Sequence, residues 1–574
     1  MDVTDTASWV VLGRSAGDAV AVHLDADGAE VRRERIALTA LPGRVREIEA
    51  SAAPRWVWGD TPGWYEPLLA AGVRVARCHD LRLAHAILRW AASVDSAAEV
   101  RRSTAWDAAP AVESGPATAT LFDLDDEASA DGPPSDIAAA ESEFVRQRDA
   151  VASSTEPSRL RLLLAAESAG ALIASEMRAA GLPWDAAEHD RILTRTLGER
   201  SAGGTPAHVA AAAARVRAAL GDPSLSIDSQ PKLLRALHRA GVLVESTSRW
   251  ELAEQRHPVI EPLLEYKKLA RLQSANGWAW LAEWVHDGRF RPVYVPGGVV
   301  TGRWASSGGG ALQLPRQLRA AVRADEGWTL VVADVAQLEP RVLAAMSSDS
   351  ALVAAARGRD LYAGIVEGGA IADRADAKIA MLGAMYGATS GQSGRLVPRL
   401  RRAYPRAMGL VDEAARIGED GGVVSTWLGR SSPPPSDGWR EMQSRASQVE
   451  TTSADVDRAR RHARDRGRFT RNFVVQGTAA EWALCWLAEL RTRLAALPPV
   501  SASPAVHSGP AFARHPHVAF FLHDEVIVHT PREHADAAAR AVTDAAAQAA
   551  RILFGDFPID FPLDIRIDAT ASKG

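Results

Sequence analysis

The stretch Phe520-Phe521-Leu522-His523-Asp524-Glu525-Val526-Ile527-Val528 places two adjacent carboxylates between two apolar runs. Apolar runs around a short polar break predict a β-hairpin with Asp524 and Glu525 near its turn. Acids in such a place are either solvated turn residues or metal ligands. A second apolar run, residues 329–333, leads directly into Asp334. If the two strands are neighbours, Asp334 and Asp524 can hold Mg²⁺ ions that stabilise the attacking and leaving oxygens of phosphoryl transfer.

The composition is that of a large globular protein. At 574 residues the chain is too long for one core, so we expect several structural units. No apolar run approaches the roughly 18 residues of a membrane span, and the acidic N-terminus is unlike a signal peptide, so we expect no membrane partner. Cys78 and Cys485 are the only cysteines. They lie far apart, which excludes a disulfide framework and a thiolate metal site and favours the cytoplasm.

Charge is segregated along the chain although the formal net charge is only −5. Acids crowd residues 123–143, whereas residues 395–406 and 458–471 are dense in arginine. Such basic stretches are typical of a groove that follows a phosphate backbone, and the alternative is a plain solvated surface.

Composition and periodicity divide the chain into four parts. Residues 1–102 alternate short apolar runs with helical patterns, which predicts a small α/β domain whose last strand is residues 73–76. Residues 103–150 include an Ala-, Pro-, Ser- and acid-rich stretch that predicts a linker. Residues 151–300 are mainly helical. Residues 301–574 combine the two acid-ended strands with long helices, so the whole is a multidomain α/β and α+β protein.

A helix from residue 374 presents a chemically graded stripe. Arg374, Lys378, Leu382 and Tyr386 recur every four residues. Steps of four drift by only about 40° around a helix, so these side chains share one face. Such a face can bind phosphates with its cations and stack a base at its far end, and the alternative is an amphipathic surface helix. Lysine is rare in this Arg-rich chain, which favours a specific role for the Lys378 ammonium.

A similar ladder is formed by Arg468, Asn472 and Gln476, which lead into Gly477-Thr478-Ala479-Ala480. Side chains of these types at this spacing can read the groove edge of a nucleic-acid duplex through hydrogen bonds. The alternative is a polar helix surface.

These motifs, in their order along the chain, resemble family A DNA polymerases of the bacterial DNA polymerase I type. The resemblance rests on Thr301-Gly302-Arg303, residues 334–341, the helix of Arg374, the ladder of Arg468 and His523-Asp524-Glu525. It spans roughly residues 157–574 and is strongest over 301–530. It implies a right-hand architecture of palm, fingers and thumb, with the thumb and start of the palm in 151–300, palm and fingers in 301–574, and the fingers over about 350–465.

The resemblance implies a catalytic centre with two Mg²⁺ ions, for which Mn²⁺ can substitute. Asp334 and Asp524 would ligate both ions, and the Val335 carbonyl would complete one site. Glu525 would support the primer end. Lys378 would act as the proton donor to the pyrophosphate leaving group.

The resemblance also implies the contacts to substrates. The incoming nucleotide would be contacted by Arg374, Lys378, Leu382, Tyr386, Glu339, Gln337 and Tyr362. The primer and template would be contacted by Arg303, Gln313, Arg341, Arg468, Asn472, Gln476 and His523. Glu339 would lie under the sugar and exclude a 2′-hydroxyl. Pro340 falls in the first turn of the following helix, where its missing N–H costs nothing.

The chain departs from the family pattern at several of these positions. Val335-Ala336 replaces a Tyr-Ser pair, Leu382 replaces an aromatic platform, Tyr362 replaces a histidine, and residues 308–313 replace an Asn-rich segment. The smaller Leu382 beside Glu339 predicts measurable ribonucleotide insertion.

Residues 1–102 correspond by position to the family's proofreading exonuclease, a ribonuclease H-like domain that needs a set of four carboxylates. The first strands contain no Asp-x-Glu pattern. Asp80 is the one acid at a suitable place, and a helix N-cap explains it more simply. We therefore expect a degenerate exonuclease-like domain without proofreading activity, and no separate 5′-nuclease domain.

The prediction is a cytoplasmic, nucleoid-associated DNA-directed DNA polymerase for repair or gap filling. It would be a monomer that uses primer-template DNA and deoxynucleoside triphosphates. Three alternatives remain: a catalytically inactive DNA-binding scaffold, an RNA-synthesising relative, and a polymerase with relaxed sugar selectivity. The deoxyribose-selecting Glu339 disfavours RNA synthesis. The retained pair Asp334 and Asp524 disfavours a scaffold, which has no need of two mutually repelling acids.

Overall fold

The computed structural model describes residues 7–107, 132–200, 204–310, 314–358, 360–388, 391–448 and 451–572. It divides into two compact units. The first comprises the chain up to Gly181 with Val293–Gly308 and Asp325–Asp568, and the second comprises Leu182–Pro292, Gly309–Ala324 and the chain from Ala569. Gln313 and the central part of the expected linker lie outside the described residues.

The N-terminal sheet belongs to the first unit. Its strands and the helices around it are β1 (Trp9–Ser15), β2 (Asp18–Leu24), β3 (Glu30–Ile36), α1 (Leu41–Ser51), β4 (Arg55–Trp58), α2 (Thr61–Ala70), β5 (Arg77–Asp80) and α3 (Leu81–Leu88). The strand order is β3-β2-β1-β4-β5. The β1–β2 and β2–β3 pairs are antiparallel, whereas β4 runs parallel to both β1 and β5. This mixed sheet is consistent with the expected exonuclease-like fold.

Two details of this region correct the sequence-based expectations. The last strand of the sheet, β5, covers residues 77–80 and not the predicted residues 73–76. Val73 and Val75 are buried, but they belong to no strand. The segment expected to be a linker ends in a helix, α4 (Ile137–Ala152), whose Ile137, Ala140 and Phe144 are buried against the sheet. Asp136 caps this helix by accepting hydrogen bonds from Ala138 and Ala139 N–H, so the alanine-rich stretch is folded.

The second unit is mainly helical. It contains β6 (Leu182–Pro183), α6 (Ala186–Leu197), α7 (Ala207–Leu220), α8 (Gln230–Arg239), α9 (Arg249–Ala253), α10 (Ile260–Asn276), α11 (Trp278–Trp284), β7 (Val285–His286) and β8 (Arg289–Phe290). The preceding helix, α5 (Pro157–Ala180), belongs to the first unit. The sequence analysis assigned residues 151–300 to the thumb and the start of the palm. This range is divided between the two units, with α5 in the first and with α10 and α11 in the second.

The second sheet of the first unit carries the acid-ended strands. Its part of the chain contains β9 (Val293–Val295), β10 (Ala305–Gly308), β11 (Trp328–Val335), α12 (Leu338–Ser347), α13 (Ser350–Ala356), α14 (Leu361–Glu367), α15 (Arg374–Tyr386), α16 (Gly391–Ala403), α17 (Pro405–Glu419), α18 (Asp437–Ala446), α19 (Ser453–Ala495), β12 (His517–Leu522), β13 (Glu525–Pro531), α20 (Ala535–Phe554) and β14 (Leu563–Asp568). The order is β12-β13-β11-β14, and every pair is antiparallel.

The central strand of this sheet is almost entirely apolar. Every residue of β11 except Asp334 is buried, as expected for a strand covered on both faces. The long helix α19 lies against α20 and α5. A hydrogen bond from the Trp486 indole N–H on α19 to the Val542 carbonyl on α20, at 3.1 Å, joins these two helices. The predicted hairpin is present as β12–β13, and its turn consists of His523 and Asp524.

None of the helices in the described parts of the chain combines the length and the apolar character that a bilayer span requires.

Candidate active site at the end of the second sheet

Two aspartates meet where β11 and the β12–β13 hairpin end. Asp334 pairs across the sheet with Glu525 on β13 and with Asp564 on β14. The Val335 N–H donates to the Asp524 carbonyl at 2.9 Å, so the backbones of Val335 and Asp524 are directly joined. His523 has a left-handed φ of 57°, which closes the two-residue turn and brings Asp524 to this edge. The sheet therefore assembles acids that are 190 residues apart in the sequence.

The electrostatics of this pair fit a cation site. Burial, and then the negative charge of Asp334, raise the pKa of Asp524 to about 6. Two carboxylates that repel each other in this way are stabilised by a divalent cation between them, and hard oxygen ligands suit Mg²⁺. Within the described residues, no three or more His, Cys, Asp or Glu side chains form a metal-binding group. A metal here would need further oxygen ligands from the backbone, from water or from a substrate.

The corner between β11 and α12 positions three predicted residues. Gln337 adopts a left-handed conformation with a φ of 51° just before α12, and Pro340 lies in the first turn of this helix. Glu339 accepts a hydrogen bond from the Tyr386 hydroxyl at 2.8 Å and forms an ion pair with Arg303. Glu339 thus joins the Thr301-Gly302-Arg303 loop to the far end of α15.

Helix α15 carries the predicted stripe. Arg374 and Lys378 are exposed, Leu382 is partly buried, and the Tyr386 side chain is 41% exposed. The opposite face, with Ala377, Ala380, Met381, Ala384 and Met385, is buried in the apolar core. Lys378 has no hydrogen-bond or ion-pair partner among the described residues. The helix ends at Gly387, whose φ of 73° is the left-handed conformation that favours glycine at a helix C-terminus.

Asp360 holds the Arg374 end of the stripe, and the sequence analysis did not identify it. Its carboxylate accepts two hydrogen bonds from Arg374, at 3.2 and 2.8 Å, and one from the Gln337 amide at 3.0 Å. Burial would raise the pKa of Asp360, but the bonds from Arg374 and the Ala363 N–H outweigh it and hold the pKa below its ordinary value. The one available signal was an Asp directly before an apolar helical run, which indicates only an N-cap.

The ladder on α19 lies beside both α15 and the Thr-Gly-Arg loop. Arg468 is exposed, while Asn472 and Gln476 are partly exposed on the same face. A Cβ added to Gly387 would lie 2.9 Å from Cγ of Arg468. The Thr301 hydroxyl donates to Gln476 Oε1 at 3.0 Å. The ladder, the loop and the stripe are therefore connected, and the charge of Arg303 on the loop acts on Asp524.

Two predicted contact residues have other roles. Arg341 is fully buried, and its guanidinium donates to the carbonyls of Ala336, Ala356 and Asp560, at 3.1, 2.9 and 3.1 Å. The prediction that it contacts DNA is therefore wrong, and it holds the β11–α12 corner instead. The Tyr362 side chain is 5% exposed in the core, with the Arg374 guanidinium 5.7 Å above its ring. It therefore supports Arg374 rather than presenting itself to a phosphate.

The remaining predicted residues lie at the hairpin or outside the described chain. His523 is exposed at the turn, and burial of its ring followed by the charge of Arg303 lowers its pKa. Glu525 is buried with 5% exposure. Gln313 lies outside the described residues.

The N-terminal sheet contains a second pair of aspartates. Asp80, at the end of β5, is fully buried, and Asp60 is 3% exposed. Asp80 accepts hydrogen bonds from the Leu83 N–H at 2.9 Å and from the N–H and hydroxyl of Thr61 at 2.8 and 2.7 Å. Asp60 forms an ion pair with Arg82 at 2.8 Å. Asp80 is thus a helix N-cap, as the sequence suggested.

Comparisons with known proteins agree with this geometry. A family model described as DNA polymerase family A matches residues 237–572. The thermostable DNA polymerase I of Thermus aquaticus is 25% identical over 357 residues, which cover 57% of this chain and 38% of that protein. The DNA polymerase I of Chloroflexus aurantiacus is 29% identical over 349 residues, 56% of this chain and 33% of that protein. The chain thus spans between 33% and 38% of the length of these curated relatives.

A solved structure shares the fold. The polymerase domain of Pol1 from M. smegmatis, in complex with DNA primer-template and dNTP, aligns with a TM-score of 0.65 at 16% sequence identity. The alignment covers 98% of this chain and 95% of that one. The predicted right-hand polymerase fold is therefore confirmed. Since the family model matches more than half of its residues, the chain belongs to DNA polymerase family A.

Proposed function

We propose that this chain is a template-directed DNA polymerase that adds deoxynucleotides to a primer 3′ end. The observation that carries the proposal is the meeting of Asp334 and Asp524 at the end of β11. This acidic edge is joined through Glu339 to Arg303 and Tyr386. The M. smegmatis neighbour, which shares the fold, was solved with primer-template DNA and a nucleotide. That complex supports the same substrates here.

Two Mg²⁺ ions are the proposed cofactors, held by Asp334, Asp524 and the Val335 carbonyl. When bound, they would neutralise charge on the phosphoryl group and on the attacking and leaving oxygens. A cation would also offset the repulsion from Asp334, which is, after burial, the second cause of the raised pKa of Asp524. Glu525, next to Asp524 on the hairpin, would support the primer terminus.

The proposed nucleotide site lies along α15. Arg374 and Lys378 would bind the triphosphate, and Lys378, which is exposed and unpaired among the described residues, would donate a proton to the pyrophosphate leaving group. Arg374 would first have to exchange its two hydrogen bonds to Asp360 for bonds to phosphate. Asn472 and Gln476 would contact the duplex from α19.

Sugar selection would depend on Glu339 and Tyr386. Their hydrogen bond, and the ion pair of Glu339 with Arg303, support a fixed carboxylate beneath the deoxyribose. Leu382 gives less lateral support than an aromatic ring, so we expect detectable ribonucleotide incorporation. Single-nucleotide insertion with matched dNTP and rNTP measures this ratio, and discrimination of thousands-fold or more would contradict it.

Primer extension tests the proposed activity directly. The wild-type chain should extend a labelled primer only with Mg²⁺, and the nucleotide added should change with the template base. Asp334→Ala should reduce the rate by about 10³-fold or more, because a metal ligand is lost from the transition state. Asp325→Ala, which removes an acid at the opposite end of β11, is the control. Equal rates for wild type and Asp334→Ala would reject the proposal.

We also propose that the N-terminal domain provides no proofreading, as in enzymes suited to repair or gap filling. The burial of Asp60 and Asp80, and their hydrogen bonds to Arg82, Thr61 and Leu83, support this. A 3′-labelled primer with Mg²⁺ and no dNTP should stay intact. Trimming that persists in Asp334→Ala would overturn this proposal and leave the polymerase assignment standing.

A further inference from the structure

Two buried acids without a role in the proposed mechanism bind the same turn, residues 426–430. This turn lies between α17 and α18, and the Thr426 N–H closes it by donating to the Arg430 carbonyl at 2.9 Å. Glu167 on α5 and Glu481 on α19 are each 1% exposed. Burying a carboxylate costs free energy unless it is paired or hydrogen-bonded. The partners of the two acids therefore indicate which part of the molecule they hold in place.

Glu481 fixes one end of the 426–430 turn to α19. Its carboxylate accepts hydrogen bonds from the Thr426 hydroxyl and, at 3.0 Å, from the Leu428 N–H. Gly477, one helical turn earlier on α19, lies against the same segment. A Cβ added to Gly477 would overlap Cγ2 of Thr426 and would lie 3.1 Å from the Thr301 carbonyl oxygen. The 426–430 turn and the start of the Thr301-Gly302-Arg303 loop therefore meet at Gly477.

Glu167 fixes the other end of the turn through Arg430. The Arg430 Nη2 group donates to Glu167 Oε2 at 2.6 Å, and the Arg430 side chain is largely buried. The guanidinium lies against Gly302, since a Cβ added there would be 2.6 Å from Nε and 3.0 Å from Cζ of Arg430. Gly302 has a φ of 85°, in the left-handed region that favours glycine. The ion pair thus supports the residue that directly precedes Arg303.

Arg303 connects this support to the catalytic edge. Its guanidinium forms the ion pair with Glu339, and its charge acts on Asp524. Two backbone hydrogen bonds close the loop, from the Gly302 N–H to the Val299 carbonyl at 2.7 Å and from the Val299 N–H to the Arg303 carbonyl at 3.1 Å. A displacement of Gly302 would therefore move Arg303 relative to the acidic edge.

The N-terminal sheet contributes to the same ion pair through Arg82 on α3. Burial raises the pKa of Glu167, and the charges of Arg430 and Arg82 act against this effect. The Asp80 N–H donates to Ser168 Oγ at 3.1 Å, which joins β5 to α5 at the neighbour of Glu167. The domain without a predicted nuclease activity thus takes part in the charge balance at Glu167.

We propose that Glu167 and Arg430 are positioning residues for the Thr301-Gly302-Arg303 loop and act through Arg303 on the rate of nucleotide addition. This inference rests on the proposed polymerase function. Arg82 supports the same positioning, which gives the N-terminal domain a role in synthesis that needs no nuclease activity. Loss of the ion pair should therefore matter only while Arg303 is present.

A double-mutant cycle with Arg303 tests this coupling. Glu167→Gln should lower the single-turnover rate of primer extension per folded molecule by about ten-fold, but by less than about two-fold in an Arg303→Gln background. Equal losses in the two backgrounds, or no loss in the wild-type background, overturn the inference.

Glu176→Gln is the matched control. Glu176 lies on the same helix, is also buried, and is paired with Arg491 at 2.7 Å. Its substitution should destabilise the protein because it breaks a buried ion pair, but the extension rate per folded molecule should stay within about two-fold. An equal loss of rate in Glu176→Gln and Glu167→Gln would assign the effect to general stability and overturn the inference.

Substitutions of Arg430 provide a second test if Glu167→Gln does not fold. Arg430→Gln should lower the extension rate by about ten-fold, and Arg430→Lys by about three-fold, because lysine keeps the charge opposite Glu167 but loses the planar group against Gly302. A lysine variant no more active than the glutamine variant would exclude the ion pair as the cause and overturn the inference.

Hydrogen–deuterium exchange measures the loop without any activity. The Gly302 N–H is bonded to the Val299 carbonyl. Peptides that cover residues 298–304 should exchange about ten-fold faster in Glu167→Gln and Arg430→Gln than in the wild type, and should be unchanged in Glu176→Gln. Unchanged exchange in the first two variants overturns the inference even if the wild type extends primers. A wild type that extends no primer rejects the proposed function, while the exchange still decides whether the ion pair positions the loop.

Discussion

The two aspartate pairs of the first unit have the same electrostatic signature and opposite surroundings. Burial and a neighbouring acid raise the pKa of both Asp524 and Asp80 to about 6. Asp80, however, is fully buried and accepts three hydrogen bonds, whereas Asp524 is partly exposed at a hairpin turn. A raised pKa in a like-charged pair therefore does not identify a metal site by itself. What distinguishes Asp524 from Asp80 is that Asp524 lies partly exposed at a turn, where a ligand can reach it, whereas Asp80 is fully buried and bonded to Thr61 and Leu83.

The largest expected difference between the pairs is in activity. Asp524→Asn should lower the rate of primer extension by about 10³-fold or more, because the amide is a poor ligand for Mg²⁺. Asp80→Asn should leave the rate per folded molecule within about two-fold. Single-turnover extension at a temperature well below unfolding measures both. A similar loss in the two variants would remove the distinction between the partly exposed Asp524 and the buried Asp80.

The second difference is in stability and has the opposite direction. Asp80→Asn should lower the free energy of unfolding by about 1–3 kcal/mol, because its amide N–H group would face the N–H donors of Thr61 or Leu83. Asp524→Asn should be neutral or slightly stabilising, since it removes the repulsion with Asp334. Urea unfolding followed by circular dichroism tests this prediction. It fails if Asp524→Asn is the more destabilised variant.

The smallest effect is a pH dependence that Asp524 should cause and Asp80 should not. The metal-free pKa of Asp524 is raised to about 6, so protons compete with the metal below that pH. The Mg²⁺ concentration for half-maximal extension should be nearly constant from pH 8 to 7 and rise by up to about ten-fold per unit below pH 6. Mg²⁺ titrations of the extension rate at each pH measure it. A flat requirement down to pH 5 would contradict the assignment of Asp524 as a ligand.

Local sequence patterns predicted much of the site, because many of its side chains are positioned by a single hairpin or a single helix. The apolar runs on both sides of Asp524 indicated the hairpin, and the four-residue spacing of Arg374, Lys378 and Tyr386 indicated one helix face. Composition misled over residues 137–152, where the alanine-rich stretch folds as α4 because Phe144 and its apolar neighbours cover the N-terminal sheet. Amino-acid composition alone carries no information about this packing.

Contacts between residues that are far apart in the sequence could not be predicted from these patterns. Asp360 looks like any helix cap in sequence, yet it holds Arg374 and Gln337 from two other elements. Arg341 looks like one more cation near the catalytic motif, yet its guanidinium is consumed by three backbone carbonyls. An arginine side chain can bind both a phosphate and a buried carbonyl. Which of the two it contacts depends on how distant segments of the chain pack around it.

The sequence by itself determined the elements and the chemical types that they carry: two apolar strands that lead to aspartates, a stripe on α15 that begins with two cations, and an arginine-dense stretch over residues 395–406. Local propensity and periodicity suffice for these because they depend on neighbours in the chain. Only the tertiary structure decided that Asp334 and Asp524 share an edge while Asp60 and Asp80 are closed off. Exposure and hydrogen-bond partners come from packing between distant segments, and these decide whether an acid can bind a ligand or only caps a helix.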